Sequence, residues 1–146
     1  MADKSLIGRC TGRTTAEVEK GRLRFFAKAI GETDPIYTDE EAARAAGYPT
    51  LPVPPTFLAC LESEGRDMQE MITDVLGFDL GRILHAEQAF DYHAMAFAGD
   101  LLTFETRVAD VYEKKGGALT FVVLETRVSN QRGEHIADIR ASLVQR

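Results

Sequence analysis

The second half of the chain carries the feature that most restricts the fold, a long stretch in which apolar and polar residues alternate. Over residues 101–112, Leu102 and Phe104 alternate with Thr103 and Glu105. A period of two residues is typical of a strand with one buried and one exposed face. The pattern therefore predicts a sheet that is covered on one side only.

Two turn sequences divide this half of the chain. Lys-Lys-Gly-Gly at 114–117 and Asn-Gln-Arg-Gly at 130–133 are typical of tight connections between antiparallel strands. We therefore predict strands at 84–92, 101–112, 118–129 and 136–144. The last three should form an antiparallel meander.

The first half predicts helices. Thr14 and Thr15 precede a helical pattern that ends at Gly31, and its apolar stripe consists of Leu23, Phe26, Ala27 and Ile30. A shorter helix is predicted at 40–46, with Thr38 or Asp39 as its N-cap and Gly47 after its end.

Four prolines between residues 48 and 55 exclude a helix interior or a central strand there. Pro55 or Thr56 can open the next helix, predicted at 55–61. That helix is apolar almost all round, so we expect it to be buried against the sheet, with Cys60 in the core. Helices followed by a meander predict an α+β fold.

Composition sets the remaining limits. The 146 residues suit one domain, expected over 1–146, and a net charge of -6 argues against nucleic-acid binding. The two cysteines stand in no ligand spacing, so neither a disulfide framework nor a metal site is expected. Without an apolar leader or a membrane-length apolar run, we expect a cytoplasmic protein that does not bind membranes.

Several segments in order resemble the MaoC-like dehydratases, in particular the N-terminal dehydratase-like branch related to type-2 (R)-specific enoyl-CoA hydratases. The segments are FAKAIGETDPIY at 26–37, VPPTF at 53–57, LHAEQAFDY at 84–92 and AGD at 98–100. The resemblance implies a hot-dog fold, in which a curved antiparallel sheet wraps around a central helix. It also implies an acyl-CoA or acyl-carrier-protein thioester as ligand, with no cofactor.

The chain departs from that family at its catalytic pair. Hydration of an enoyl thioester needs a base and an acid, which the family supplies as Asp and His in Gly-Asp-x-Asn-Pro-aliphatic-His. Those positions hold Glu32 and Tyr37 here, and the Asn position holds Asp34. A tyrosine can donate a proton near neutral pH but rarely accepts one. Structural roles and residual chemistry therefore both remain open for this pair.

Other residues offer alternatives. His85 and Glu87 are two positions apart on a predicted strand and should share a face, where they could form a second acid–base set with His93 or simply make cross-strand hydrogen bonds. His135 follows a turn and should face solvent. The resemblance implies substrate contacts at Asp34, Pro55, Thr56, Phe57 and Gly99, although Gly99 could equally be an ordinary turn residue.

Three functions follow from these expectations. The chain could be an enoyl-thioester hydratase or dehydratase, or a non-catalytic substrate-binding subunit paired with a catalytic hot-dog chain. A thioesterase is less favoured, because no Ser or Cys stands in a nucleophile elbow. A single hot-dog unit leaves an open sheet edge, so we expect a homodimer or a heterodimer.

Overall fold

A computed structural model describes residues 2–146 and contains one five-stranded antiparallel sheet. The strands are β1 (Cys10–Glu17), β2 (Ile83–Tyr92), β3 (Leu101–Lys114), β4 (Leu119–Ser129) and β5 (His135–Gln145). Their order is β1-β3-β4-β5-β2, so the predicted meander of the last three strands is confirmed. β1 and β2 form the two edges.

The threonine-rich start of the chain is a strand, not the beginning of a helix. Thr14 and Thr15 lie within β1, opposite Phe104 and Thr103 of β3. β-branched side chains favour extended backbone, and β3 supplies the hydrogen-bond partners. The helix predicted after these threonines starts only at Lys20.

The helices otherwise fall close to their predicted places. They are α1 (Lys20–Ala29), α2 (Glu40–Ala45) and α3 (Leu58–Glu64). Gly31 and Gly47 follow the first two with φ of 73° and 95°, a left-handed conformation that ends helices. Asp39 caps α2, since its carboxylate accepts the amides of Glu41 and Ala42.

The central helix α3 begins later than residue 55, because Pro54 first closes a turn by accepting the Phe57 amide at 2.9 Å. Leu58 and Leu61 are fully buried against the sheet, but Cys60 is exposed. The expected all-round burial of this helix and the core position of Cys60 are therefore wrong. With 3.6 residues per turn, only one side of α3 faces the sheet.

The core on this face of the sheet divides into two apolar clusters. Large buried side chains of the first cluster are Leu23, Leu51, Phe104, Val128, Ile136 and Ile139. The second includes Met71, Ile72, Val108, Val111, Val122 and Leu143. Between residues 2 and 146, no helix is long and apolar enough to cross a membrane.

A buried polar contact connects the end of α3 to the sheet. Glu62 and Arg66 form an ion pair at 3.3 Å, with side-chain exposures of 13% and 8%. The Thr126 hydroxyl donates to Glu62 at 2.6 Å, and Arg66 donates to the Thr106 hydroxyl. Because Thr106 and Thr126 belong to neighbouring strands, this network fixes α3 over the middle of the sheet.

Candidate acyl-thioester site

The segment that follows α1 is held at both ends. The Glu32 amide donates to the Ala27 carbonyl at 2.9 Å, and Arg24 of α1 donates to the Thr38 carbonyl at 2.9 Å. Between these anchors, residues Pro35–Tyr37 form one 3₁₀ turn. The fold therefore presents Glu32, Asp34 and Tyr37 from a short, fixed loop.

The Glu32 carboxylate is used within its own loop. Its Oε1 accepts the backbone amides of Thr33 and Asp34, each at 2.9 Å. Asp34 in turn caps the 3₁₀ turn by accepting the Ile36 amide at 3.1 Å. Both carboxylates thus have structural partners in addition to any role toward a ligand.

Two other tyrosines, Tyr48 and Tyr92, lie near Tyr37 of this loop. Partial burial, and then the negative charges of Glu32 and Asp34, raise the pKa of Tyr37, to which Tyr48 adds a smaller effect. Burial raises the pKa of Tyr92 further, and the nearby Tyr37 adds to it. The hydroxyls of Tyr37 and Tyr92 therefore stay protonated well above neutral pH and can donate hydrogen bonds there.

The Tyr92 side chain connects the edge strand β2 to the proline segment, residues 48–55. Its hydroxyl donates to the Pro55 carbonyl at 2.6 Å, across a sequence separation of 37 residues. Sequence reasoning missed Tyr92 as a site residue, although it ends the predicted strand at 84–92. Its importance comes from tertiary contact, and a strand-end tyrosine gives no separate signal in the sequence.

The residues after Pro55 form an apolar border. Phe57 is buried and packs on Phe26 of α1 with ring centroids 4.8 Å apart, while Pro55 and Thr56 are exposed. Arg22 lies over the Phe57 ring at 5.5 Å and pairs with Glu64 at 2.6 Å. Exposed positions beside a buried aromatic ring are suited to contact with an acyl thioester.

Gly99 lies at the other side of the proline segment, before β3. Its φ of 88° favours glycine, and its amide already donates to the Val18 carbonyl at 2.8 Å. Asp100 is buried and accepts the Phe97 amide at 2.9 Å. These contacts support the turn role of Gly99 that the sequence left open.

His85 and Glu87 do not share a face of β2, contrary to expectation. A bulge between them places His85 opposite Leu143 and Glu87 opposite Ser142, and these two neighbours on β5 point to opposite faces. His85 contacts Gln88 at 3.0 Å, and Glu87 accepts the Ser142 hydroxyl at 2.8 Å. The bulge therefore removes the proposed His85–Glu87 acid–base pair.

The other two histidines lie together. His93 is exposed, and His135, which was expected to face solvent, is half-buried with its imidazole 2.8 Å from Asp138. Neither ring belongs to the loop at 32–37. All three histidines of the chain thus have contacts away from Glu32.

A cavity of about 850 Å³ lies elsewhere, over the outer face of the sheet. Its border includes the ion-paired side chains of Arg107, Glu125 and Arg140. A charged border is poorly suited to an acyl chain.

Comparison with known structures places the fold among hot-dog dehydratases. The truncated HadBC (3R-hydroxyacyl-ACP dehydratase) complex of Mycobacterium tuberculosis is 28% identical, with a TM-score of 0.76 over 90% of both chains. A MaoC-like dehydratase of Rhodospirillum rubrum is 24% identical, with a TM-score of 0.67 over 92% of this chain and 90% of the other. The expected α+β hot-dog fold and the MaoC-like resemblance are confirmed.

Sequence comparison identifies the protein family to which this hot-dog chain belongs. The family described as the FAS1-like, dehydratase domain region matches residues 5–139. A UPF0336 protein of Saccharopolyspora erythraea is 36% identical over 146 residues, which cover 99% of this chain and 91% of the relative. The chain therefore belongs to the FAS1-like dehydratase-region family.

Proposed function

We propose that this chain binds an acyl-CoA or acyl-carrier-protein thioester and serves as the substrate-binding subunit of a dehydratase, with little hydratase activity of its own. The observation that carries this proposal is the loop at 32–37. Its Glu32 carboxylate accepts two backbone amides of the same loop, and Tyr37 stands where the resembled family has its histidine.

The chemistry supports binding more than catalysis. Hydration needs a group that can accept a proton near neutral pH, and a tyrosine with a raised pKa is a poor acceptor there. The same hydroxyl is a good hydrogen-bond donor to a thioester oxygen. Glu32 keeps one carboxylate oxygen as a weak base, so slow turnover is compatible with the site.

The edge strand β2 supports a second subunit. Seven of its ten residues are exposed, and it pairs with β5 on one side only. An open edge of this length favours pairing with another strand. The similar HadBC structure is itself a complex, which fits pairing of this chain with a catalytic hot-dog chain in the cytoplasm; a homodimer is the alternative.

Calorimetric titration tests the binding claim. We expect the purified chain to bind a non-reactive saturated acyl-CoA, and Tyr37→Phe and Thr56→Arg to weaken the affinity. Tyr112→Phe is the matched control, because Tyr112 stacks on Phe121 at 4.9 Å in the hairpin of β3 and β4. The proposal would be overturned if the chain bound neither acyl-CoA nor an acyl thioester on acyl-carrier protein, both when it is tested alone and when it is tested together with a catalytic partner chain.

A further inference from the structure

Two of the three histidines converge on one carboxylate, outside the thioester site. His93 Nε2 lies 2.9 Å from Asp138 Oδ2, and His135 Nε2 lies 2.8 Å from Asp138 Oδ1. The two imidazole rings are 4.3 Å apart at their centroids. Each histidine therefore directs the same nitrogen toward a different oxygen of the same side chain.

The backbone holds these three residues in place. His93 directly follows β2, and its amide donates to the Ile136 carbonyl of β5 at 2.8 Å. His135 is the first residue of β5, and Asp138 is the fourth. The cluster thus joins the end of the edge strand to the start of its only neighbour in the sheet.

We propose that His93, His135 and Asp138 bind one divalent first-row transition-metal ion, best represented by Zn²⁺. Two imidazole nitrogens and a carboxylate oxygen are borderline donors that suit zinc. Three protein ligands leave a fourth position for water. This proposal does not depend on the proposed acyl-thioester function.

The distances are compatible with an ion. The candidate ligand atoms all lie within 4.8 Å of one another. Donors around a tetrahedral zinc ion with bonds of about 2.0–2.1 Å are themselves about 3.3 Å apart. Because the three side chains are partly exposed, small rotations of the imidazoles can admit the ion without a change in the backbone.

Charged residues on β2 and β4, the two strands next to β5, lie close to Asp138 of the proposed metal site. Asp91 of β2 and Arg127 of β4 each lie opposite Asp138 in the strand register. Asp91 adds a negative charge that favours a cation, whereas Arg127 adds a positive charge that opposes one. Arg140, two residues along β5, is engaged by Glu125 at 3.0 Å.

An ion at this place would fix the end of β2. Tyr92 immediately precedes His93 and holds the Pro55 carbonyl at 2.6 Å. A metal bound across β2 and β5 is therefore expected to raise the thermal stability of the chain, since it binds the folded form selectively.

The test uses untagged full-length protein, dialysed against chelator and titrated with ZnCl₂, and with CoCl₂ for its visible absorption. A Cys10→Ser, Cys60→Ser background removes the two exposed thiols as competing ligands. His135→Ala and Asp138→Asn remove ligands. The matched control is His85→Ala, which removes the histidine that contacts Gln88 on the same edge strand.

We expect one ion per chain, an upward shift of the melting temperature, and a loss of affinity of about tenfold or more in either ligand variant. The His85→Ala protein should bind as its parent does. No stoichiometric binding by the parent, or equal loss in His85→Ala and His135→Ala, overturns the proposal. The titration of the parent protein shows whether the chain binds one ion even if a ligand variant fails to fold.

Discussion

Glu32 stands where the resemblance implies the family's catalytic Asp, and here it has a structural role. Its carboxylate accepts two amides of the loop that it opens, as an N-cap residue does for a helix. This contact explains why a carboxylate can be retained here when the histidine is absent.

Removal of that cap should cost stability. Glu32→Ala leaves the amides of Thr33 and Asp34 without a protein partner, and we expect a loss of about 1 kcal/mol in the free energy of unfolding. Urea denaturation measures it. Glu19→Ala is the control, because Glu19 makes no side-chain cap hydrogen bond. Equal effects of the two substitutions would show that the Glu32 contacts do not stabilise the loop.

The partly buried Tyr92 hydroxyl predicts a loss of stability at alkaline pH. Burial raises the pKa of Tyr92 in the folded chain above its ordinary value of 10.0. The neutral Tyr92 hydroxyl contributes fully to the stability of the folded chain below about pH 10. This contribution is lost as the pH rises further, because the tyrosine ionises at a lower pH in the unfolded chain than in the folded chain. Tyr92→Phe should therefore flatten the alkaline fall in unfolding free energy between pH 9 and 11, a range set around a tyrosine pKa of about 10.

Tyr112→Phe serves as the comparison for this slope. Tyr92→Phe also removes the bond to Pro55, so its stability should be lower at neutral pH, but only the pH dependence tests the pKa. An unchanged alkaline slope in Tyr92→Phe would be incompatible with a raised pKa.

At the scale of single residues, the sequence placed Glu32, Asp34 and Tyr37 correctly on one loop, because Gly31 ends the preceding helix and Pro35 interrupts any further helical pattern. It did not reveal that Tyr92 reaches Pro55 or that His93 and His135 meet at Asp138. These contacts join residues brought together by strand pairing. Neither spacing along the chain nor residue type encodes them.

Among the elements, α3 depends on the buried pair Glu62 and Arg66 for its position over the sheet. Glu62→Ala leaves the Arg66 charge buried without its partner, so we expect a loss of about 3–5 kcal/mol. Glu64→Ala, which breaks the more exposed pair with Arg22, should cost below about 1 kcal/mol. Chemical denaturation of both variants compares the two pairs on one helix.

If the two variants proved equally stable, the network would not fix α3. A double variant, Glu62→Leu with Arg66→Met, is a further check, because replacement of both partners by apolar side chains should restore much of the loss. Recovery of stability in the double variant would show that the loss in Glu62→Ala comes from the unpaired charge of Arg66.

The elements themselves were largely predictable. Strict alternation in β3 and the glycine-containing turns gave the meander, since one buried face imposes a period of two. β1 was missed because its threonines also resemble a helix start. The bulge in β2 was missed because a register shift depends on the partner strand.

For the whole molecule, the exposed strand β2 is the expected contact between subunits. Leu84 on this strand is 48% exposed, and Leu101 on β3 is 46% exposed. We expect Leu84→Lys to shift the chain from dimer to monomer, whereas Leu101→Lys should leave the dimer intact. Light scattering at micromolar concentration distinguishes these outcomes, and a parent that is monomeric with and without a catalytic chain would refute the interface.

We propose that this chain holds an acyl thioester but hydrates it poorly. The most direct measurement is the turnover of crotonyl-CoA and longer enoyl-CoAs by the purified chain and by its Glu32→Asp, Tyr37→His double variant. We predict a slow or inactive parent and a faster double variant, because the second substitution supplies an imidazole that can accept a proton near neutral pH. A parent that turns over at about 10 s⁻¹, typical of enzymes, and that is unaffected by Glu32→Gln or Tyr37→Phe would contradict the account.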